Sequence, residues 1–334
     1  MAFEWARRAA VLVPLATAPS GSAQQALVGG LLYESPALVA PVVVLTSLRD
    51  LTEWRVAIVG WTINGEWART LSPSRAVVAA LDLTPVNAHS SNKVYVDGVE
   101  DAASSYRNAT LQVSGGLRWT PSSRWSTDLR GAVLYEHVAD LPPGVLDFWR
   151  SPFVGLDVVH RYDRVSANDP LRARFEGVRV AARAQAYAGT AFWGRGTLSI
   201  GVGHRVGRLF LRGHGLALYG RSLNTVSAFL TGGSWDAAGP AAFYGYGYGA
   251  HRLDRALLAN GGVDVRLWGT AEIGLRAAWL TGPEGTRFGT AVGLSGLWNG
   301  IAMNVGLAIP EDDALRGRWD RALVTGGITA AWLR

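Results

Sequence analysis

The stretch Arg287-Phe-Gly-Thr-Ala-Val-Gly-Leu-Ser-Gly-Leu-Trp298, then Asn299-Gly300, then Ile301-Ala-Met-Asn-Val-Gly-Leu-Ala-Ile309, decides the fold. After the turn, Ile301, Met303, Val305, Leu307 and Ile309 are apolar on odd positions. Ala302, Asn304, Gly306 and Ala308 fill the even ones, which is the period of a strand with one greasy face. Before the turn, Phe288, Val292 and Leu294 are apolar on even positions. The parity therefore flips across Asn299-Gly300. A two-residue hairpin loop produces this flip, because residues 298 and 301 then pair and share a face, and Asn-Gly is the favoured type I′ pair.

The same period recurs upstream. Val263, Val265 and Leu267 alternate with Asp264 and Arg266. Beyond a turn near Gly269–Thr270, Ile273, Leu275, Ala277 and Trp279 alternate with Glu272, Gly274 and Arg276. Val178, Val180, Ala182, Ala184 and Ala186 alternate with Arg179, Arg183 and Gln185. Arg172, Arg174 and Glu176 lie in the opposite phase, which predicts a bulge near Gly177.

Composition agrees with finely interleaved polarity. The 334 residues are 49% hydrophobic and only 17% charged, with 41 Gly, 14 Trp and no Cys, yet the mean hydropathy is only +0.12. Low charge and many aromatics exclude a disordered chain. The absence of cysteine excludes a disulfide framework and thiolate chemistry. A spanning helix needs about 20 mostly apolar residues. Beyond residue 25 the longest such run, Pro36 to Leu48, is too short and ends at Arg49–Asp50.

The amino terminus reads as an export signal. Arg7 and Arg8 precede the apolar stretch Ala9–Ala18, followed by Pro19-Ser-Gly-Ser-Ala23, with cleavage expected after Ala23. Residues 1–23 are then a signal peptide and residues 24–334 the mature domain.

Which face is buried separates two all-β classes. A soluble sandwich turns its apolar face inward, and it would purify without detergent. An outer-membrane barrel turns that face to lipid and lines its interior with charge and glycine. The predicted strands of about 10–15 residues suffice to cross a bilayer at a tilt. Trp54, Trp119, Trp268, Trp279, Trp298 and Trp332 fall near strand ends, as an interfacial belt requires. The expected fold is a transmembrane antiparallel β-barrel in a bacterial outer membrane. Sixteen strands are predicted, near 37–47, 53–62, 64–71, 75–84, 92–98, 106–119, 124–138, 148–164, 172–188, 191–205, 208–221, 253–268, 270–281, 286–298, 300–309 and 320–333. The first five are poorly separated, so twelve or fourteen also fit. Turns at 269–270 and 299–300 are tight, whereas Ser222–Arg252, Thr281–Thr286 and Pro310–Trp319 read as longer loops, as on the extracellular side of such barrels.

Several of these segments resemble the bacterial surface antigen family, which contains the BamA and TamA barrels. Ser151-Pro-Phe-Val-Gly-Leu-Asp-Val-Val-His-Arg-Tyr-Asp163 and Asn168-Asp-Pro-Leu-Arg-Ala-Arg-Phe175 look like two adjoining strands of that family. Thr231-Gly-Gly-Ser-Trp, Phe243-Tyr-Gly-Tyr-Gly-Tyr-Gly249, Arg255-Ala-Leu-Leu-Ala-Asn260 and Val263-Asp-Val-Arg-Leu267 look like its sixth extracellular loop and the strand that follows. The resemblance covers roughly residues 148–280. It implies a role in envelope biogenesis or as a structural component of an outer-membrane assembly, and a loop, residues 222–252, whose tip at Phe243, Tyr244, Gly245 and Tyr246 folds into the lumen. Two departures are visible. The family's loop-tip arginine falls on Tyr244, although Asp264 stands where the family has an acidic residue. The mature chain also enters its first strands almost at once, so only the barrel of the family is resembled. The carboxyl end also lacks the terminal aromatic of typical outer-membrane barrels, Trp332 standing two residues early.

The remaining chemistry has bland readings. The 32 basic residues against 26 acidic ones do not point to nucleic acid, because the arginines alternate along strands instead of gathering on one groove-reading element. Asp264, Arg266, Glu272, Arg276, Arg179 and Arg183 are expected to face the lumen and to pair there. Such an interior could instead make a passive anion-biased diffusion pore. His89-Ser-Ser-Asn92 resembles the His-x-Ser-Asn run of the outer-membrane phospholipase family, which makes a lipid hydrolase the remote alternative; no orienting Asn is found. His204 and His214 could approach if their strands form a hairpin, without the further ligands a metal centre needs. Glu311-Asp312-Asp313 lacks the pattern of a dedicated calcium site. No catalytic residue, metal or cofactor is assigned. The expected partners are outer-membrane lipid, lipopolysaccharide and other envelope proteins.

Overall fold

The computed structural model describes residues 24–333 except 35–37, 50, 60–61, 85–90, 97–98, 140–151, 170–173, 224–228, 232–241, 247–250, 284 and 300. The expected signal segment and His89 thus lie outside the described residues. The barrel strands, in chain order, are β1 (Gln24–Glu34), β2 (Leu38–Arg49), β3 (Thr52–Val59), β4 (Thr62–Ser72), β5 (Arg75–Thr84), β6 (Val99–Ser122), β7 (Trp125–Ala139) and β8 (Phe153–Asp169). They continue as β9 (Arg174–Ala188), β10 (Phe192–Val206), β11 (Leu209–Arg221), β12 (Arg255–Trp268), β13 (Ala271–Gly282), β14 (Gly285–Trp298), β15 (Ile301–Pro310) and β16 (Leu323–Leu333). Each is antiparallel to its neighbours, and β1 pairs with β16 from Ala26↔Leu333 to Glu34↔Thr325, so the sheet closes as a 16-strand barrel.

Closure disposes of the edge problem in the wall, since each of the sixteen barrel strands has two partners. The predicted hairpin is present: Trp298 pairs with Ile301, and Asn299 takes φ 48°, the left-handed value a type I′ turn requires. Outward positions carry Leu275, Leu294, Val305 and Leu307, all exposed, which in a bilayer is the lipid-facing band. Trp119, Trp125, Trp268 and Trp298 stand exposed within a few residues of tight turns. Hydrophobicity here describes an outside.

Three sequence expectations are corrected. The strand predicted at 92–98 is not a wall strand: Ser91–Val96 pairs only alongside β6, and β5 bonds β6 directly from Arg75↔Trp119 to Thr84↔Thr110. The count of sixteen survives because β1, absent from the prediction, takes its place. Thr281–Thr286 is not a long loop, since Thr281↔Thr286 and Gly282↔Gly285 are ladder pairs. His204 and His214 do not meet. His204 pairs with Leu211 and His214 with Gly201, a separation that, with their parities, puts His204 outside and His214 inside.

The bulge is where the phase change placed it, with a register shift at Glu176/Gly177. Gly177 has φ 127°, and a Cβ there would lie 2.0 Å from the Arg164 carbonyl oxygen. No L side chain fits that position.

Candidate functional site

Inside the barrel the two ends differ. Towards the loop end, the inward positions of β11, β12, β13 and β15 are apolar: Leu216, Leu218, Ala256, Leu258, Ala278, Leu280 and Ala308. Against them packs the segment Ala242–Tyr246, in which Phe243 is 0% and Tyr244 2% exposed. Phe243 stacks on Tyr246 with centroids 4.4 Å apart and planes 7° apart. The backbone is held too. Asn260 donates Nδ2–H to the Ala242 carbonyl at 3.0 Å, and Tyr246 donates its hydroxyl to the Phe288 carbonyl at 3.4 Å. His214 Nδ1 lies 3.0 Å from Asn260 Oδ1; since that oxygen only accepts, the imidazole donates and fixes which way the amide points.

Approach is close because the wall is thinned. A Cβ at Gly289 would lie 1.8 Å from the Tyr244 carbonyl oxygen. Gly245, at φ 83°, turns the segment beside the Ile309–Pro310 backbone. Across the barrel Ala132, Leu134, Phe153, Tyr187 and Trp193 form a second inward apolar cluster. Leu223, just after β11, packs against both clusters.

Towards the turn end the interior is ionic. Asp264 on β12 is 1% exposed and accepts from Arg212 Nη2 at 3.0 Å, from Arg276, and pairs with Arg174 Nη2 at 3.2 Å. Arg174 also holds Glu272. A second hub has the same composition. Asp128 on β7 is 0% exposed and accepts from Arg118 Nε at 2.7 Å, from Arg161 Nη1 at 3.0 Å and from Arg130. Glu66 on β4 joins it, accepting from Arg118 at 2.7 Å and from Arg130 at 3.2 Å. Each hub therefore gathers three guanidiniums around two carboxylates.

Of the residues selected from the sequence, Asp264, Glu272 and Arg276 belong to one hub. Arg183 forks onto Asp157. Arg179 donates to Asp163 at 3.1 Å and lies over the Phe175 ring, 4.2 Å from its centroid. Arg266 is exposed at the turn end of β12. Sequence reasoning missed Asp128, Arg130, Arg161, Glu66, Arg174 as a cross-barrel ligand, and Asn260. Same-face alternation of Asp128 and Arg130 on β7 was the available signal. Among the described residues, no group of three or more His, Asp or Glu stands ready to hold a metal, and no helix is long and apolar enough to cross a membrane.

A closed, lipid-sheathed barrel with a charged interior defines an outer-membrane β-barrel. In overall structure the chain is similar to BamA from Haemophilus ducreyi lacking POTRA domains 1–3, with 9% identity over 94% of this chain and 71% of that one and a TM-score of 0.64. It is also similar to CdiB from Escherichia coli, with 12% identity over 95% of this chain and 64% of that one and a TM-score of 0.58. No family model and no curated protein matches the sequence. At such identities the likeness is one of fold: a 16-strand barrel like those of BamA and CdiB.

Proposed function

We propose that the chain is a plugged outer-membrane barrel that works in envelope biogenesis, within or beside a larger outer-membrane assembly. On this reading residues 1–23 export it, and the loop between β11 and β12 stops the lumen. The observation that carries the reading is the burial of Ala242–Tyr246 against the inner wall, tied there by Asn260. The ionic hubs support it from the other end, because there six arginines are held by carboxylates. The fold likeness to BamA and CdiB supports the biogenesis part. The reading assigns the barrel no enzymatic step; its surroundings are outer-membrane lipid, lipopolysaccharide and other envelope proteins.

Planar-bilayer conductance tests the plug. The intact chain should be nearly silent, and deletion of residues 242–246 should open steady current. A steady anion-selective current from the intact chain would overturn the plug in favour of a diffusion pore. Depletion in cells tests the role, by the fraction of other outer-membrane barrels that show heat-modifiable migration. That fraction should fall; an unchanged fraction removes the biogenesis role.

A further inference from the structure

The barrel wall has a notch away from the β1–β16 closure. The β9–β10 ladder ends at Gly177↔Gly203, although β10 continues to pair with β11 as far as Val206↔Leu209. On its other side β9 stays paired with β8 as far as Arg174↔Asp169. Residues 174–176 have therefore left β10, and they go inward. The Phe175 carbonyl crosses the inner face of Gly203, where a Cβ would lie 1.9 Å from its oxygen. The Phe175 ring lies 6.4 Å from that of His214, and Arg174 reaches Asp264 and Glu272 three and four strands away. Gly177 permits the bend, and the Asp264 hub holds its far end.

What the bend leaves outside is a cavity of about 590 Å³ lined by Ser166, Glu176, Val178, Val202, His204 and Leu211 among others. Its composition is graded. Val178, Val202 and Leu211 are outward residues of the lipid-facing band. Ser166, Glu176 and His204 lie at its turn end, with His204 exposed and only three residues, or about 10 Å, from the turn at Gly207. Ser166 closes the bulge by donating to the Glu176 carbonyl at 3.2 Å, and the Glu176 carboxylate accepts from Arg205 Nε at 3.2 Å. Apolar walls opening to lipid, with Ser166, Glu176 and His204 at the water level, match one class of molecule: an acyl chain on a charged head.

We propose that this notch holds one glycerophospholipid of the turn-end, periplasmic leaflet. Its acyl chain lies over Val178, Val202 and Leu211, and its phosphate takes the His204 imidazole. The notch differs from the surrounding wall at its turn end, where the β9–β10 ladder has parted beyond Gly177↔Gly203 and Ser166, Glu176 and His204 border the apolar residues. The site is independent of whether the lumen is plugged.

The test reconstitutes the full chain in vesicles of phosphatidylethanolamine and phosphatidylglycerol, extracts it in detergent and counts retained lipid by native mass spectrometry. The wild type should keep one phospholipid per barrel after the shell is stripped. Val202→Trp, which fills the notch, should lower the retained fraction about tenfold, equivalent to 1.4 kcal/mol. Leu198→Trp, on the same lipid-facing side of β10 but above the notch, should retain lipid as the wild type does, and heat-modifiable migration verifies that both variants are folded. His204→Ala should weaken retention less than Val202→Trp. No retained lipid in the wild type, or equal retention in Val202→Trp and Leu198→Trp, would overturn the proposal.

Discussion

The two ends of the lumen are closed by opposite means. At the loop end, apolar side chains of the wall meet Phe243 and Tyr244, and Asn260 and Tyr246 add polar ties. At the turn end, Asp128 and Asp264 each organise three arginines, and the contact is all directional. The difference lies in what each can tolerate. Apolar packing is lost in proportion to the surface removed, so the loop end can loosen by degrees. A buried hub fails as a unit, because removing one carboxylate strands several charges. The loop end is thus the part suited to move, and the turn end the part suited to hold the barrel's shape.

The largest expected effects fall on the hubs. Asp264→Asn removes the carboxylate that Arg174, Arg212 and Arg276 share, and Asp128→Asn the one that Arg118, Arg130 and Arg161 share. Each should cost about 3–5 kcal/mol, read as a lowered urea midpoint of the folded barrel in detergent. Bilayer conductance of whatever remains folded should stay low, because the loop contacts are untouched. Unchanged urea midpoints would break the comparison at its stronger end. Phe243→Ala should cost about 3–5 kcal/mol of local docking free energy, but in another currency. The global midpoint should hold while conductance rises. A lowered midpoint without current would mean that the loop end holds the shape as well.

The outside of this barrel was legible in the sequence and the inside was not, for a physical reason. Lipid-facing alternation is a local pattern, so the hairpin at Asn299-Gly300 and the bulge at Gly177 could be read within a dozen residues. β1 escaped because Gln24-Gln-Ala-Leu-Val-Gly-Gly-Leu-Leu-Tyr-Glu34 runs its apolar residues together instead of alternating them. Ser91–Val96 misled for the converse reason: it has the composition of a wall strand but borders only the extension of β6. The hubs are non-local. Asp264 and Arg276 could be named from parity, yet nothing in the sequence joins Arg174 to Glu272, which are 98 residues apart. Nor does it show that Asp264 is served by three wall arginines. Tyr244 meets the wall through its carbonyl at Gly289, a contact no side-chain motif announces.

A smaller effect separates packing from hydrogen bonding within the loop end. Asn260→Ala leaves the Ala242 carbonyl buried without the Nδ2 donor and frees His214 of its acceptor. The cost should be about 1–3 kcal/mol of docking, below that of Phe243→Ala, and conductance should rise correspondingly less. A rise as large as that of Phe243→Ala would show that the polar tie, not the aromatic packing, holds the segment.

The smallest expected effect is a pH dependence confined to the loop end. Burial, with Asp312, Asp313 and Glu311 adding to it, holds the Tyr246 phenol above its ordinary range, although Arg287 opposes them. A phenol whose pKa is raised on docking binds its proton more tightly docked than free. Its contribution is therefore complete below the free phenol's pKa of about 10 and is lost as pH rises through the docked value. Conductance should accordingly increase on the alkaline side of about pH 10 and stay flat from there down to neutrality. Other groups titrate in the same alkaline range, so the wild-type curve alone cannot identify the source. Tyr246→Phe keeps the ring that stacks on Phe243 and removes the titrating hydroxyl together with its bond to the Phe288 carbonyl. Its conductance should begin slightly higher than the wild type's at neutral pH and lose part of the alkaline rise. If the two curves rise in parallel, the phenol is not what the alkaline medium attacks, and Tyr246 contributes to docking by its ring alone.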